Sequence, residues 1–307
     1  MSGETVLAER LREGRTLLVS PHPDDVAYSC GGLLAAVGRP VHATLLTVFT
    51  QSAWALPRRL RRAGTRVVSA RRRQEELSYC RLRGLAEYRP LGFADASLRG
   101  YDDVAEVSSP VEADGVREAV AEAVAEAVHR SGADTVLAPA AVGDHIDHLL
   151  VHGAVRGAAR GSALTLFYED LPYAGQHEAS AVVRTLREAR GLVPYAGIDI
   201  SGVVEQKVRG MYVYGSQTDD ECVREALHHA RRTAAAEPGA EPGAEQEAPV
   251  PLPAPARRAS HVERLWIAAA APAGGTNGTR ATRGSARTDG AHGRNGAHGA
   301  HGPAEHR

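Results

Sequence analysis

TLLVSPHPDD, residues 16–25, is an apolar run that ends in a proline turn bearing one histidine and two aspartates. Four apolar or β-branched residues and a serine after a charged stretch read as a buried strand, stopped where Pro21 and Pro23 flank His22. A helix over about 27–37 follows, and the apolar run 41–49 fits a second strand. Residues 69–85 form a charged amphipathic helix leading to a short strand at 88–91, and 111–131 has helical spacing. DTVLA, residues 134–138, makes another buried strand; 143–157 opens as loop and continues as helix; LTLFYE, 164–169, is strand-like. Residues 192–200 and 203–214 give one more strand and helix. Repeated βα units of this length predict an α/β fold, a mostly parallel sheet covered on both faces, with ligands gathering outside the strands' carboxyl ends.

The 307 residues suffice for one full α/β core. With 36 basic and 37 acidic residues the charge nearly cancels, so no overall field recruits nucleic acid or an anionic membrane. Lys207 is the sole lysine, a bias expected of a GC-rich, bacterial genome. Cys30, Cys80 and Cys222 are odd in number and lack zinc or redox spacing, so reduced, buried thiols are expected. Residues 1–13 have no apolar h-region and no stretch reaches 18 apolar residues, so neither a signal peptide nor a membrane span is expected; the compartment is the cytoplasm.

Composition divides the chain into a catalytic domain over 1–233, a disordered Pro/Ala/Glu-rich insert over 234–259, a terminal element over 260–269 that docks as an edge, and a disordered tail over 270–307. The insert contains a direct EPGAEPGAE duplication, and the tail has too few large apolar residues to offset its ordering entropy. Its AHG repeats around His292, His298 and His301 read as solvated low-complexity sequence, with loose metal binding as the alternative.

Two clusters carry chemistry. In the first, His22 and Asp25 lie three apart across a proline turn, a spacing that brings an imidazole and a carboxylate to one cation at about 2.0 to 2.2 Å. Asp24 then stands beside the metal, and a divalent ion relieves the repulsion of adjacent carboxylates. Equally, an Asp-rich turn can simply cap the helix that follows. The second cluster is Gly143-Asp144-His145-Ile146-Asp147-His148, with His152 a turn further on. Residues three, four and seven apart share a helix face. His152 is left as core or as support for the ligands. Both clusters fall at strand carboxyl ends.

Two histidines and one carboxylate leave a zinc ion an open position for water, the pattern of catalytic sites. Amide hydrolysis also needs a base and an oxyanion donor; Asp24 is placed for the first and His145 for the second. Asp147 can orient one of the histidines. Imidazole and carboxylate also suit Fe(II), Co(II) or Mn(II).

SPHPDDVAYSCGGLL (20–34), RRQEELSYCRLRG (72–84), GDHIDH (143–148), YEDLPYA (168–174), YGSQ (214–217) and HVERLW (261–266) together resemble the PIG-L/LmbE-like family of zinc-dependent N-deacetylases. The resemblance spans about 15–267 and implies a Rossmann-like three-layer sandwich, the LmbE-like fold, acting on N-acetylglucosamine-type sugars and their conjugates. It implies one zinc ion per chain on His22, Asp25 and His148, a general base at Asp24, and an oxyanion-stabilising or acid role for His145, oriented by Asp147. It further implies that Arg72, or else Arg73, and Asp95 hold the sugar; a solvated charge is the alternative for each. Val26 stands where many relatives carry Glu, as in a branch found in antibiotic and other secondary-metabolite pathways.

The expected function is therefore removal of an N-acetyl group from an amino sugar or its glycoconjugate, the partner being that small molecule. An amidase for larger acyl or thiol-conjugate amides, and a non-catalytic binding protein of the same fold, are the rivals. Acetate release from an N-acetylglucosaminide separates the first from the second, and bound metal with turnover separates both from the third.

Overall fold

Buried strands alternate with amphipathic helices in the order that the apolar runs predict. The computed structural model describes residues 3–38, 42–102, 105–158, 163–236 and 259–269. In chain order the elements are α1 (Gly3–Glu13), β1 (Thr16–Ser20), α2 (Asp25–Val37), β2 (Ala43–Gln51), α3 (Arg58–Arg62), α4 (Thr65–Arg83), β3 (Glu87–Ala94), α5 (Ala105–Ser108) and α6 (Arg117–Ser131). Then come β4 (Thr135–Pro139), α7 (Ile146–Ala158), β5 (Leu164–Tyr168), α8 (Ala179–Arg184), β6 (Leu192–Asp199), α9 (Val204–Met211), α10 (Asp220–Ala235) and β7 (Val262–Ala268).

The strands form one sheet in the order β3-β2-β1-β4-β5-β7-β6. β3, β2, β1, β4 and β5 run parallel, and β7 is antiparallel to both its neighbours. Along β1, Leu17 and Val19 join one apolar layer while Leu18 joins the other. That alternation is what a strand covered on both faces requires. The chain leaves β1 toward β2 and β3 on one side, then returns to place β4 on the other. The crevice between β1 and β4 is thus the topological switch point where α/β sheets collect ligands.

Three differences from the sequence reading have local causes. α6 starts at Arg117, because Pro110 begins a short turn over Val111–Ala113 and the Asp114 carboxylate accepts the Val116 N–H at 2.9 Å. α10 was not anticipated, although Asp219 is its N-cap, accepting the N–H groups of Glu221 and Cys222, with two acids in the first turn. The terminal element is not an edge. β7 lies inside the sheet with Trp266 and Leu265 buried, which explains why so short a segment carries the consecutive large apolar residues Leu265, Trp266 and Ile267.

Lys207 and Glu263 fasten α2 to α9 and β7. Glu263 accepts the N–H groups of Gly32 and Leu33 and an ion-pair hydrogen bond from Lys207 at 2.6 Å, while Lys207 also donates to the Tyr28 carbonyl. A Cβ on Gly32 would meet Ile200 at 2.7 Å and Glu263 at 2.8 Å, so the glycine is needed for this close approach.

Cys30 and Cys80 are buried free thiols, as expected; Cys222 is half-buried. No helix among the described residues is long and apolar enough to cross a membrane. Of the expected insert, Ala234 and Ala235 complete α10 and 237–258 lie outside the described residues, as does the tail.

Candidate active site

The turn after β1 is held by its own polar groups. Ser20 Oγ donates to the His22 carbonyl at 2.6 Å, the His22 N–H donates to Asp25 Oδ2 at 2.7 Å, and the Phe49 N–H donates to the Pro21 carbonyl at 2.8 Å. Asp24 is forced to φ 121°. Among the described residues the other non-glycine residues at positive φ are Ala141 and Asp144, in the loop after β4. Strained backbone therefore concentrates at the carboxyl ends of the two strands that flank the switch point.

That geometry brings His22, Asp25 and His148 together, with one ligand atom of each within 4.8 Å of the others. Asp25 Oδ2 lies 3.5 Å from His22 Nδ1, and Asp25 Oδ1 lies 3.5 Å from His148 Nε2. Two ligands of one tetrahedral ion, each about 2.1 Å from it, are separated by about 3.4 Å. The far nitrogen of each ring meets a carboxylate: His22 Nε2 with Asp147 Oδ2 at 2.8 Å, and His148 Nδ1 with Asp170 Oδ1 at 2.6 Å. Carboxylate-backed imidazoles of this kind have a fixed tautomer and a more basic near nitrogen. His148 Nε2 is fully buried and has no hydrogen-bond partner, although orphaned buried polar atoms are costly. The donor set fits a divalent cation.

Electrostatics point the same way. Burial opposes a charged His22, yet its hydrogen bonds to Asp147 and Asp25 outweigh burial and push the ring up to about 10. Burial likewise opposes charge on Asp25, but the His148 and His22 rings hold its carboxyl down at about 2. A cluster with such proton affinity is one that asks for positive charge. His22, His145 and Asp147 form a second grouping of possible ligands. There, however, Asp147 is already engaged by His22, by the Ala96 N–H at 3.0 Å and by Arg99 at 2.7 Å.

The remaining expected residues surround a cavity of about 360 Å³ lined by Asp24, Arg72, Asp95, Glu106, His145 and Tyr173 among others. Burial lifts the Asp24 carboxyl to about 7 against the pull of Arg72, whose Nη2 is 3.9 Å away. His145 Nδ1 accepts the Asp147 N–H at 3.1 Å, which leaves Nε2 as the protonated nitrogen, 3.5 Å from Glu106. Burial, aided by the neighbouring His22 and His148 rings, keeps His145 below the ordinary imidazole value. Asp147 thus touches both histidines, its carboxylate on His22 and its backbone on His145.

Between the two arginines considered, Arg72 is buried and lines the cavity while Arg73 is exposed. Arg72 donates to Ser52 Oγ at 3.0 Å and the Pro23 carbonyl at 3.3 Å, and stands 3.7 Å from Asp95. His152 resolves to core: its Nδ1 meets the Pro139 carbonyl at 2.9 Å and its ring packs on Phe167. Asp170, Glu106, Arg99 and Trp54 were missed. For Asp170 the signal was present, an acid at the carboxyl end of the strand beside β4, within a stretch quoted above for its resemblance alone.

Residues 17–159 match the family described as PIG-L, GlcNAc-PI de-N-acetylase. A 2'-N-acetylparomamine deacetylase of Streptomyces fradiae is 75% identical over 271 residues, covering 88% of this chain and 95% of that one. Among solved structures, an A40926 pseudoaglycone deacetylase has a TM-score of 0.58 at 24% identity, covering 84% of this chain and 99% of that one. A zinc-inhibited form of a teicoplanin deacetylase has a TM-score of 0.54 at 20% identity, covering 82% and 97%. The two structures share the fold of this chain.

Proposed function

The chain belongs to the PIG-L family of de-N-acetylases, and from that premise we propose that it is a zinc-dependent hydrolase removing the N-acetyl group of an acetylated amino sugar. The substrate is 2'-N-acetylparomamine or a close relative, in the assembly of a bacterial secondary metabolite. The observation that carries the reading is the orphaned, fully buried His148 Nε2 grouped with His22 and Asp25 at the edge of a cavity that also holds Asp24 and His145. Residues 1–233 with the strand in 260–269 form the catalytic unit. Free thiols at Cys30, Cys80 and Cys222 suit the cytoplasm.

His22, Asp25 and His148 would hold the zinc ion, which when bound supplies Lewis acidity toward water and the acetyl carbonyl. The chain's own groups do the rest. Asp24, with a carboxyl lifted toward neutrality, takes a proton from the attacking water and returns it to the departing amine, so that amide and water become acetate and amine. The His145 Nε2–H faces the cavity as a donor for the oxyanion. Arg72 and Asp95 hold sugar hydroxyls, and Asp147 and Asp170 keep the two ligand rings in place.

Acetate release from 2'-N-acetylparomamine, with metal analysis of the same preparation, tests the assignment. The expected result is stoichiometric acetate and amine, lost on chelation and restored by zinc. Asp24→Ala is expected to keep its metal while turnover falls roughly 10² to 10⁴-fold. Metal-loaded protein that releases no acetate from any N-acetyl amino sugar sinks the proposal, and cleavage of bulky amides alone would transfer the chain to the amidases.

A further inference from the structure

The cavity carries more negative charge than the reaction uses. Asp24, Asp25, Asp95, Glu106 and Asp147 line it against one guanidinium, Arg72. A divalent ion together with Arg72 neutralises three of these five charges. Arg99 lies behind Asp147 at 2.7 Å but is shared with Asp114 at 2.9 Å, so it leaves the balance unaltered. Two negative charges remain to face the substrate. Sugar hydroxyls can donate to carboxylates, but they bring no positive charge to offset the cost of desolvating a surplus of them.

Four of the five face a guanidinium or an imidazole pushed toward its charged form: Asp25 and Asp147 sit on His148 and His22, Asp24 and Asp95 on Arg72, whereas the His145 ring beside Glu106 is held below the ordinary imidazole value. Glu106 differs. Among the described residues its one chargeable neighbour within 4 Å is His145 Nε2 at 3.5 Å, and its side chain is 28% exposed on the cavity wall. Trp54, 41% exposed, lines the same cavity and offers an apolar plane for a ring to rest on. Resting on the amino-sugar reading above, we infer that Glu106 is a specificity-determining residue, its carboxylate taking an ammonium group on the ring attached to the acetamido sugar. The charge selects amine-bearing conjugates over neutral glycosides, because a neutral substrate displaces water from Glu106 and offers it no countercharge in return.

Paromamine, which has no acetyl group to lose, separates this inference from the assignment of activity. Calorimetric titration of the zinc-loaded enzyme is expected to show affinity that weakens with salt and falls roughly tenfold in Glu106→Gln, with partial recovery in Glu106→Asp. In turnover, the ratio of kcat/KM for 2'-N-acetylparomamine to that for methyl N-acetylglucosaminide should fall by a similar factor in Glu106→Gln, through KM. Equal paromamine affinity in wild type and variant, or a loss shared equally by both substrates and carried by kcat, overturns the inference. Paromamine binding that depends on Glu106 in a protein releasing no acetate would instead overturn the proposed activity and leave this recognition standing.

Discussion

Asp170 has no contact with the cavity, yet the site depends on it. Its Oδ1 fixes the His148 ring at 2.6 Å while its Oδ2 accepts the Val142 N–H at 2.9 Å, so ring and loop share one anchor. Removing such a carboxylate typically costs 10 to 100-fold in metal affinity. Asp170→Ala is therefore expected to weaken zinc binding by about that factor, measured by competition with a chromophoric chelator; unchanged affinity would show His148 to be held by packing alone. Glu76 is the other residue whose environment makes a prediction. It is fully buried, accepting from Thr47 at 2.8 Å and Tyr214 at 2.6 Å, and burial pushes its carboxyl up to about 8 from an ordinary value near 4.5. Folding thus favours the protonated acid. Its stabilising contribution is full below about 4.5 and is lost as pH rises through about 8. Between pH 7 and 9 the Tm of the wild type should fall more than that of Glu76→Gln, which cannot ionise; parallel curves would refute the shift.

At the scale of elements, the Lys207–Glu263 pair joins three segments distant in sequence. The Gly32 N–H and the Tyr28 carbonyl, one turn apart in α2, are met by Glu263 and Lys207 respectively. Lys207→Ala would leave Glu263 buried without its countercharge, at a cost of about 3 to 5 kcal/mol. Chemical denaturation should show that loss, and combining Lys207→Met with Glu263→Gln should recover part of it; a single variant within 1 kcal/mol of wild type would mean that the N–H donors of α2 suffice for Glu263. Periodicity made β1, β4, β5 and most helices legible, because each is a buried run or an apolar stripe bounded by turn residues. The position of β7 was not. Nothing in HVERLWIA distinguishes an edge from a place between β5 and β6; that depends on which neighbours leave a gap, and Trp266 fills it only once β6 is in place.

The assembled sheet decides where a cation could bind, because the candidate ligands His22, Asp25 and His148 come from both sides of the switch point. Residue types at strand ends gave His22, Asp24, Asp25, His145 and His148 as candidates, since each stands in a dense local motif. Asp170, Arg99 and Glu106 belong to separate connections and acquire meaning only when the sheet is assembled, which is why the cavity's charge balance could not be read from spacing. A cation on His22, Asp25 and His148 ties the β1–α2 turn to α7, segments 125 residues apart by the His22–Asp147 contact that supports them. The unfolded chain has no such juxtaposition, so binding stabilises the native state by mass action, by about 2.7 kcal/mol at a hundredfold excess over Kd. For a domain of this size that corresponds to a Tm roughly 5 to 10 °C higher with zinc than after chelation. His148→Ala should abolish the difference, and Asp24→Ala, which leaves the donor set intact, should keep it. A Tm indifferent to chelator and zinc in the wild type would mean that these three side chains converge without serving one ion.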